Sequence, residues 1–338
     1  MPTADAAASE EAPPRAAPGK STGRARAFRA LRAALVVAVL GIVGVRVARD
    51  APSLATLAPK GSAADLALAA LAALVGYVAL PTSLPVLLKA TGRYDPALRG
   101  FYYRIWLQAF FFRYIPGKVA LLAERVRLGR FARLDGSTSV LLLAWETPLL
   151  VLGASVVCAG SLGPVLAGMV SSRAALAYLS LAPVLAVVAL ALMPRVFAWL
   201  SKKPAVRRRL GDLDAVKVGP LAQVAVTAVF AVAWLGLGTA FFFVARYFVP
   251  LGPEHFGIVV FWFVASYVAG FVATIAPAGL GIREGLLVFG LAPILPPAQA
   301  AVVAVAGRIF LTALEMIVIG VARLAPMPAA REEAAHAG

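Results

Sequence analysis

Charges of opposite sign stand side by side inside apolar sequence at two places. In YIPGKVALLAER they are Glu124 and Arg125, with Lys118 six residues before the acid; in IAPAGLGIREGLLVFG they are Arg283 and Glu284. Glu146 stands alone in LLLAWETPLLVL, and Arg308 and Glu315 share a later apolar run. Each ion near a bilayer centre costs ~2.5–3.5 kcal/mol on insertion scales, so such residues face a bundle interior and find partners. Carboxylates such as Glu124, Glu146 and Glu284 can do acid–base work where other groups assist them. No nucleophile–base constellation or acidic metal site accompanies them here. Arginine and lysine beside broken backbone suit another chemistry, the holding of an anion.

The breaks are explicit. Ile115-Pro116-Gly117 precedes Lys118, and Ala276-Pro277-Ala278-Gly279 precedes Gly281, Arg283 and Glu284. Proline at a helix start fits a position whose N–H would be unpaired, and glycines allow close approach of backbone or ligand. The free N–H groups of such a start attract anions. Proline to glutamate spans eight residues in the first segment and seven in the second. Each segment is followed by an apolar helix with an embedded acid, Glu146 or Glu315. Paired broken helices in two halves of a chain point to a transporter binding site. Arg308 and Glu315 are seven residues apart, within ~20° on one helical face. Two readings follow: an ion-pair network that locks helices together, or a polar cavity for an anionic headgroup. The coincidence of the charges with both breaks favours the second.

The elements that position these residues must be membrane helices. The chain is 61% hydrophobic and only 14% charged over 338 residues, with a mean hydropathy of +0.87. Apolar runs recur from about residue 31 to 322 without period-two alternation, which argues against a β-barrel and predicts an all-α polytopic membrane protein. Residues 1–30 read as a disordered basic Ala/Pro-rich tail, 31–323 as one membrane domain and 324–338 as a short tail. Arg24, Arg26, Arg29 and Arg32 lead into a first helix expected to be retained rather than cleaved. Further spans are expected near 64–88, 137–160, 174–199, 219–246, 254–275 and 298–322, seven in all with the first. IWLQAFFF (105–112), between Arg104 and Arg113, and the stretch 275–290 read as broken or re-entrant segments. An internal repeat is a possible organisation.

Basic clusters at 118–133 and 195–217 place those loops and the N-terminus in the cytoplasm, although Arg49 and Lys60 fall in the first external loop. The net charge of +16 is thereby explained by headgroups and topology, not by nucleic acid. Cys158 is the only thiol, so no intrachain disulfide can form, and His255 and His336 build no metal site. No Walker-type sequence is present, and no cofactor is expected.

At these residues the chain resembles the lysylphosphatidylglycerol synthase transmembrane-region family, the flippase-like integral membrane proteins. The resemblance rests on Pro116-Gly117-Lys118, Glu146, the run Pro277-Ala278-Gly279-Leu280-Gly281-Ile282-Arg283-Glu284-Gly285, and Arg308, and covers about residues 30–323. Ala278 stands where the family commonly has glycine, and Ser83-Leu84-Pro85-Val86 stands where Arg-Trp is expected. The resemblance implies a cytoplasmic-membrane protein that moves a lipid or lipid-linked precursor between leaflets. The tail after the last helix leaves no room for an aminoacyl-transfer domain, so lysyl transfer by this chain alone is not expected. The candidate headgroup site is Pro116, Gly117, Lys118, Glu124, Arg125, Glu146, Pro277, Gly279, Gly281, Arg283, Glu284, Arg308 and Glu315. The expected partner is a membrane lipid with an anionic headgroup or phosphate. The alternatives are an enzyme or enzyme subunit acting on phospholipid or polyprenyl lipid, and a scaffold for envelope enzymes.

Overall fold

A computed structural model describes residues 61–114, 119–169, 216–272 and 281–326, with positions 188, 191–192, 194–204 and 206 between them. The expected first helix, most of the expected span at 174–199, and the two prolines Pro116 and Pro277 lie outside the described residues. The described chain is helical, without strands. Its helices are α1 (Ala63–Ala90), α2 (Arg99–Phe111), α3 (Val119–Phe131), α4 (Gly136–Met169), α5 (Pro220–Phe248), α6 (Phe256–Val272), α7 (Ile282–Leu291) and α8 (Pro297–Ala322). Five segments are long and apolar enough to cross a membrane: α1, Gly136–Ser161 within α4, α5, Pro253–Phe271 covering α6, and α8. The chain is therefore a multi-pass membrane protein.

Length separates the remaining helices from these. α2 and α3 have 13 residues each and α7 has 10. At 1.5 Å per residue they reach ~15–20 Å, well short of a ~30 Å hydrocarbon core. A 3-10 turn at Phe112–Tyr114 follows α2. The apolar segment 105–112 is thus the C-terminal part of a longer helix whose first turns carry Arg99, Tyr102 and Arg104.

The core forms around α5, which packs on α1, α4, α6 and α8. Small residues permit the closest of these contacts. A Cβ on Gly236 would stand 2.8 Å from the Ala72 carbonyl and 2.9 Å from the Gly76 nitrogen, so α1 and α5 meet backbone to backbone. In hydrocarbon, such close packing and interhelical hydrogen bonds replace the hydrophobic drive. The Tyr77 hydroxyl donates to the Leu311 carbonyl at 2.8 Å, and the Trp234 indole to the Leu150 carbonyl at 2.9 Å. Asp65 at the start of α1 pairs with Arg246 at the end of α5, 3.1 Å apart. Leu68, Leu71, Leu74, Val75 and Val78 are exposed on the other side of α1, which suits a lipid-facing surface.

The turn into α4 is set by local chemistry. Arg133 takes a left-handed backbone (φ 58°) after α3, a conformation that closes a helix but is costly outside glycine. Asp135 then caps α4: its carboxylate accepts the Thr138 N–H at 3.2 Å and the Ser137 hydroxyl. These donors, Ser137 foremost, hold the Asp135 carboxyl below its usual range.

Candidate functional site

Two buried ion pairs repeat one plan. Arg125 of α3 meets Glu146 of α4 at 2.8 Å, with both side chains no more than 5% exposed. Glu284 of α7 meets Arg308 of α8. In each case a short helix pairs with the long helix that follows it, and the signs are exchanged between the two. A third pair joins the halves: Arg113, in the turn after α2, reaches Glu315 of α8 at 2.6 Å. Arg308 and Glu315, expected on one face, thus engage different helices.

Glu146 is held further by Ser83, whose hydroxyl donates to the same oxygen at 3.2 Å. Ser83 lies in the segment that departs from the expected Arg-Trp. Glu124 takes no part in this pair. It pairs with Arg127 one turn on, at 2.7 Å, and Arg127 is 54% exposed. The neighbours Glu124 and Arg125 therefore face different partners, as a 100° step requires.

The start of α7 is occupied by the chain's own acid. Gly281 takes a left-handed conformation (φ 85°), and its N–H donates to Glu284 at 2.7 Å. The carboxylate of Glu284 thus occupies the helix N-terminus where an anionic ligand was expected, while its other oxygen takes Arg308. Nor does Glu284 pair with the adjacent Arg283. Arg283 turns to α6 and stacks on the Tyr267 ring, 3.7 Å from its centroid. Arg113 lies 5.8 Å from the same ring and 3.8 Å from that of Phe110. Both Arg113 and Arg308 lie within Coulombic reach of Arg283. Among the described residues, three guanidiniums and two carboxylates are therefore linked through their pairs and the field at Arg283, with Arg283 and Arg113 beside Tyr267. Among the described residues Arg283 makes no ion pair, and its buried Nε has no hydrogen-bond partner.

Of the expected site, the fold thus brings Arg283, Glu284, Arg308 and Glu315 together and holds Arg125 with Glu146 at a separate pair. Pro116, Gly117, Lys118, Pro277 and Gly279 lie outside the described residues. Tyr267 and Ser83 were not legible as site residues, and Arg113 was visible only as the flank of an apolar run. Beside Arg125 and Glu146 lies a half-open cavity of about 250 Å³ between α2, α3 and α4, with Phe230 and Phe271 also on its wall. It takes no residue from α7 or α8.

Among the described residues, no group of histidine, cysteine, aspartate and glutamate is arranged to hold a metal. Comparison with protein-family models finds no match, and comparison with curated proteins finds none either.

Proposed function

We propose that the chain moves an anionic lipid, or a lipid-linked precursor, between the leaflets of the cytoplasmic membrane, and that the headgroup is held beside Tyr267. The observation that carries this reading is Arg283. A guanidinium within a membrane bundle normally has an anionic partner, because an unpaired ion there is expensive. Arg283 has an aromatic face instead, worth ~0.5–2 kcal/mol, and a spare donor. Among the described residues the cluster holds one more cation than anion, Arg113, Arg283 and Arg308 against Glu284 and Glu315, and a phosphate would balance it. Planar guanidinium matches phosphate geometry, and Arg113 and Arg308 both act on Arg283 electrostatically, so an anion there would feel all three charges.

The short helices α2, α3 and α7 support the same reading. On it they are broken segments that enter the membrane part-way and leave a path for a polar group between the long helices. With the spans expected near the N-terminus and at 174–199, the membrane is crossed seven times. The N-terminus and the loop at 195–217 face the cytoplasm, which their basic residues favour. The resemblance to flippase-like proteins agrees with this reading in its substrate class.

The test is reconstitution. Purified protein in liposomes carrying a trace of fluorophore-labelled phosphatidylglycerol is treated with dithionite, which bleaches only the outer leaflet. Protein-dependent loss beyond one half is expected, with less for labelled phosphatidylcholine. Arg283→Ala should slow it by about tenfold, the loss of roughly 1.4 kcal/mol of headgroup interaction. Equal behaviour of empty and protein-bearing liposomes would reject translocation, and mass spectrometry of the same lipids would reveal chemistry instead.

A further inference from the structure

The cavity beside Arg125 and Glu146 is unlike the arginine cluster in what it offers a ligand. Its walls are Trp106, Phe110, Leu143, Leu150 and other apolar groups. The polar side chains that line it are engaged. Arg125 binds Glu146, and the Thr147 hydroxyl donates to the Leu143 carbonyl at 2.9 Å. Among the described residues, nothing there awaits a headgroup. At ~30 Å³ per water-sized group, 250 Å³ holds about eight methylenes. Apolar cavities of this order stay dry and accept hydrocarbon guests.

The cavity and the arginine cluster touch through two single helical turns. Phe110 lines the cavity, and Arg113, three residues later, lies on its ring. Phe271 lines the cavity, and Tyr267, four residues earlier in α6, carries Arg283. At the rim of the cavity, Val119 is 68% exposed.

We infer that this cavity receives one acyl chain of the same phospholipid whose anionic headgroup sits at Arg113, Arg283 and Arg308. The inference rests on the proposed headgroup site. The chain gains no hydrophobic drive on entering, since bilayer and cavity are both apolar. Affinity comes from the arginines, and the cavity fixes the register of the lipid. The headgroup and one tail are then bound about one helical turn apart along α6, with Phe110 shared between the cavity and Arg113.

The experiment uses the full chain in lipid nanodiscs and phosphatidylglycerol with a diazirine near the end of one acyl chain. After irradiation, adducts are mapped by peptide mass spectrometry. Adducts are expected between Leu143 and Leu150 and between Trp106 and Phe110. Thr147→Phe, which fills the cavity, should reduce them by about tenfold, the equivalent of ~1.4 kcal/mol of exclusion. If Thr147→Phe lowers the unfolding temperature, Ala109→Leu serves instead, and the adduct map of the unaltered protein still decides. Adducts confined to lipid-facing residues such as Leu71, Leu74 and Val78 would overturn the inference. So would preferential labelling of the cavity by a diazirine-bearing polyprenyl phosphate. Equal cavity labelling by the phosphatidylcholine analogue would instead remove the headgroup reading and leave the cavity as an acyl site.

Discussion

At Glu146, Arg125 and Ser83 satisfy the carboxylate from two other helices. Glu146→Ala would leave Arg125 buried without its counter-ion. We expect a loss of ~3–5 kcal/mol, read as thermal unfolding in detergent. Changing both partners together, Arg125→Met with Glu146→Leu, should recover most of it, because a well-packed apolar pair can replace a buried ion pair. Glu284→Gln separates the two duties of the other acid. Its amide oxygen can still accept the Gly281 N–H, while the charge facing Arg308 is gone. On the proposed reading the fold tolerates the change and transport falls. Unfolding of Glu284→Gln together with Arg308→Lys would make the pair structural cement. These residues were legible because charge in apolar sequence is conspicuous. Their partners were not: Arg113 and Glu315 are 202 residues apart. Tyr267 was invisible for the opposite reason, since an aromatic in an apolar helix reads as packing.

At the level of helices, the long spans were readable because hydropathy alone specifies them. α1, α5 and α8 begin and end within two residues of the expected limits. Which helices touch was not readable, because helix contacts in lipid depend on a few small residues rather than on an apolar stripe. Gly76 and Gly236 are such a contact. Gly236→Leu should push α1 from α5 and cost about 1–3 kcal/mol by overpacking, against little effect at Gly219, where a Cβ meets nothing. The α4 cap carries a pH dependence. The Asp135 carboxyl lies below its ordinary range in the folded chain, so its contribution is full above the unfolded value near ~3.9 and is lost as pH falls through the folded one. We therefore expect Asp135→Asn, which keeps an acceptor without a charge, to flatten the decline of unfolding temperature below about pH 4. An unchanged slope would show that other carboxylates dominate it.

For the whole molecule, the exchanged signs of the Arg125–Glu146 and Glu284–Arg308 pairs are what the two similar segments of sequence become in space. The similarity was legible as Pro/Gly breaks followed by acids. The exchange was not, because nothing in either segment says which member of an Arg/Glu dipeptide meets the long helix that follows. Topology offers a separate test. With Cys158→Ser and a single cysteine at Lys202, which is exposed, an impermeant maleimide should fail to label intact cells and should label after permeabilisation. Labelling of intact cells would reverse the proposed orientation. Arg113 and Glu315, finally, bear on inheritance. Losing either alone strands a buried charge, whereas losing or swapping both does not, so an intermediate ancestor with one partner is handicapped. Descendants of this chain should carry the two positions as a linked character: retained together, reversed together, or made apolar together, even though they are separated by most of the gene.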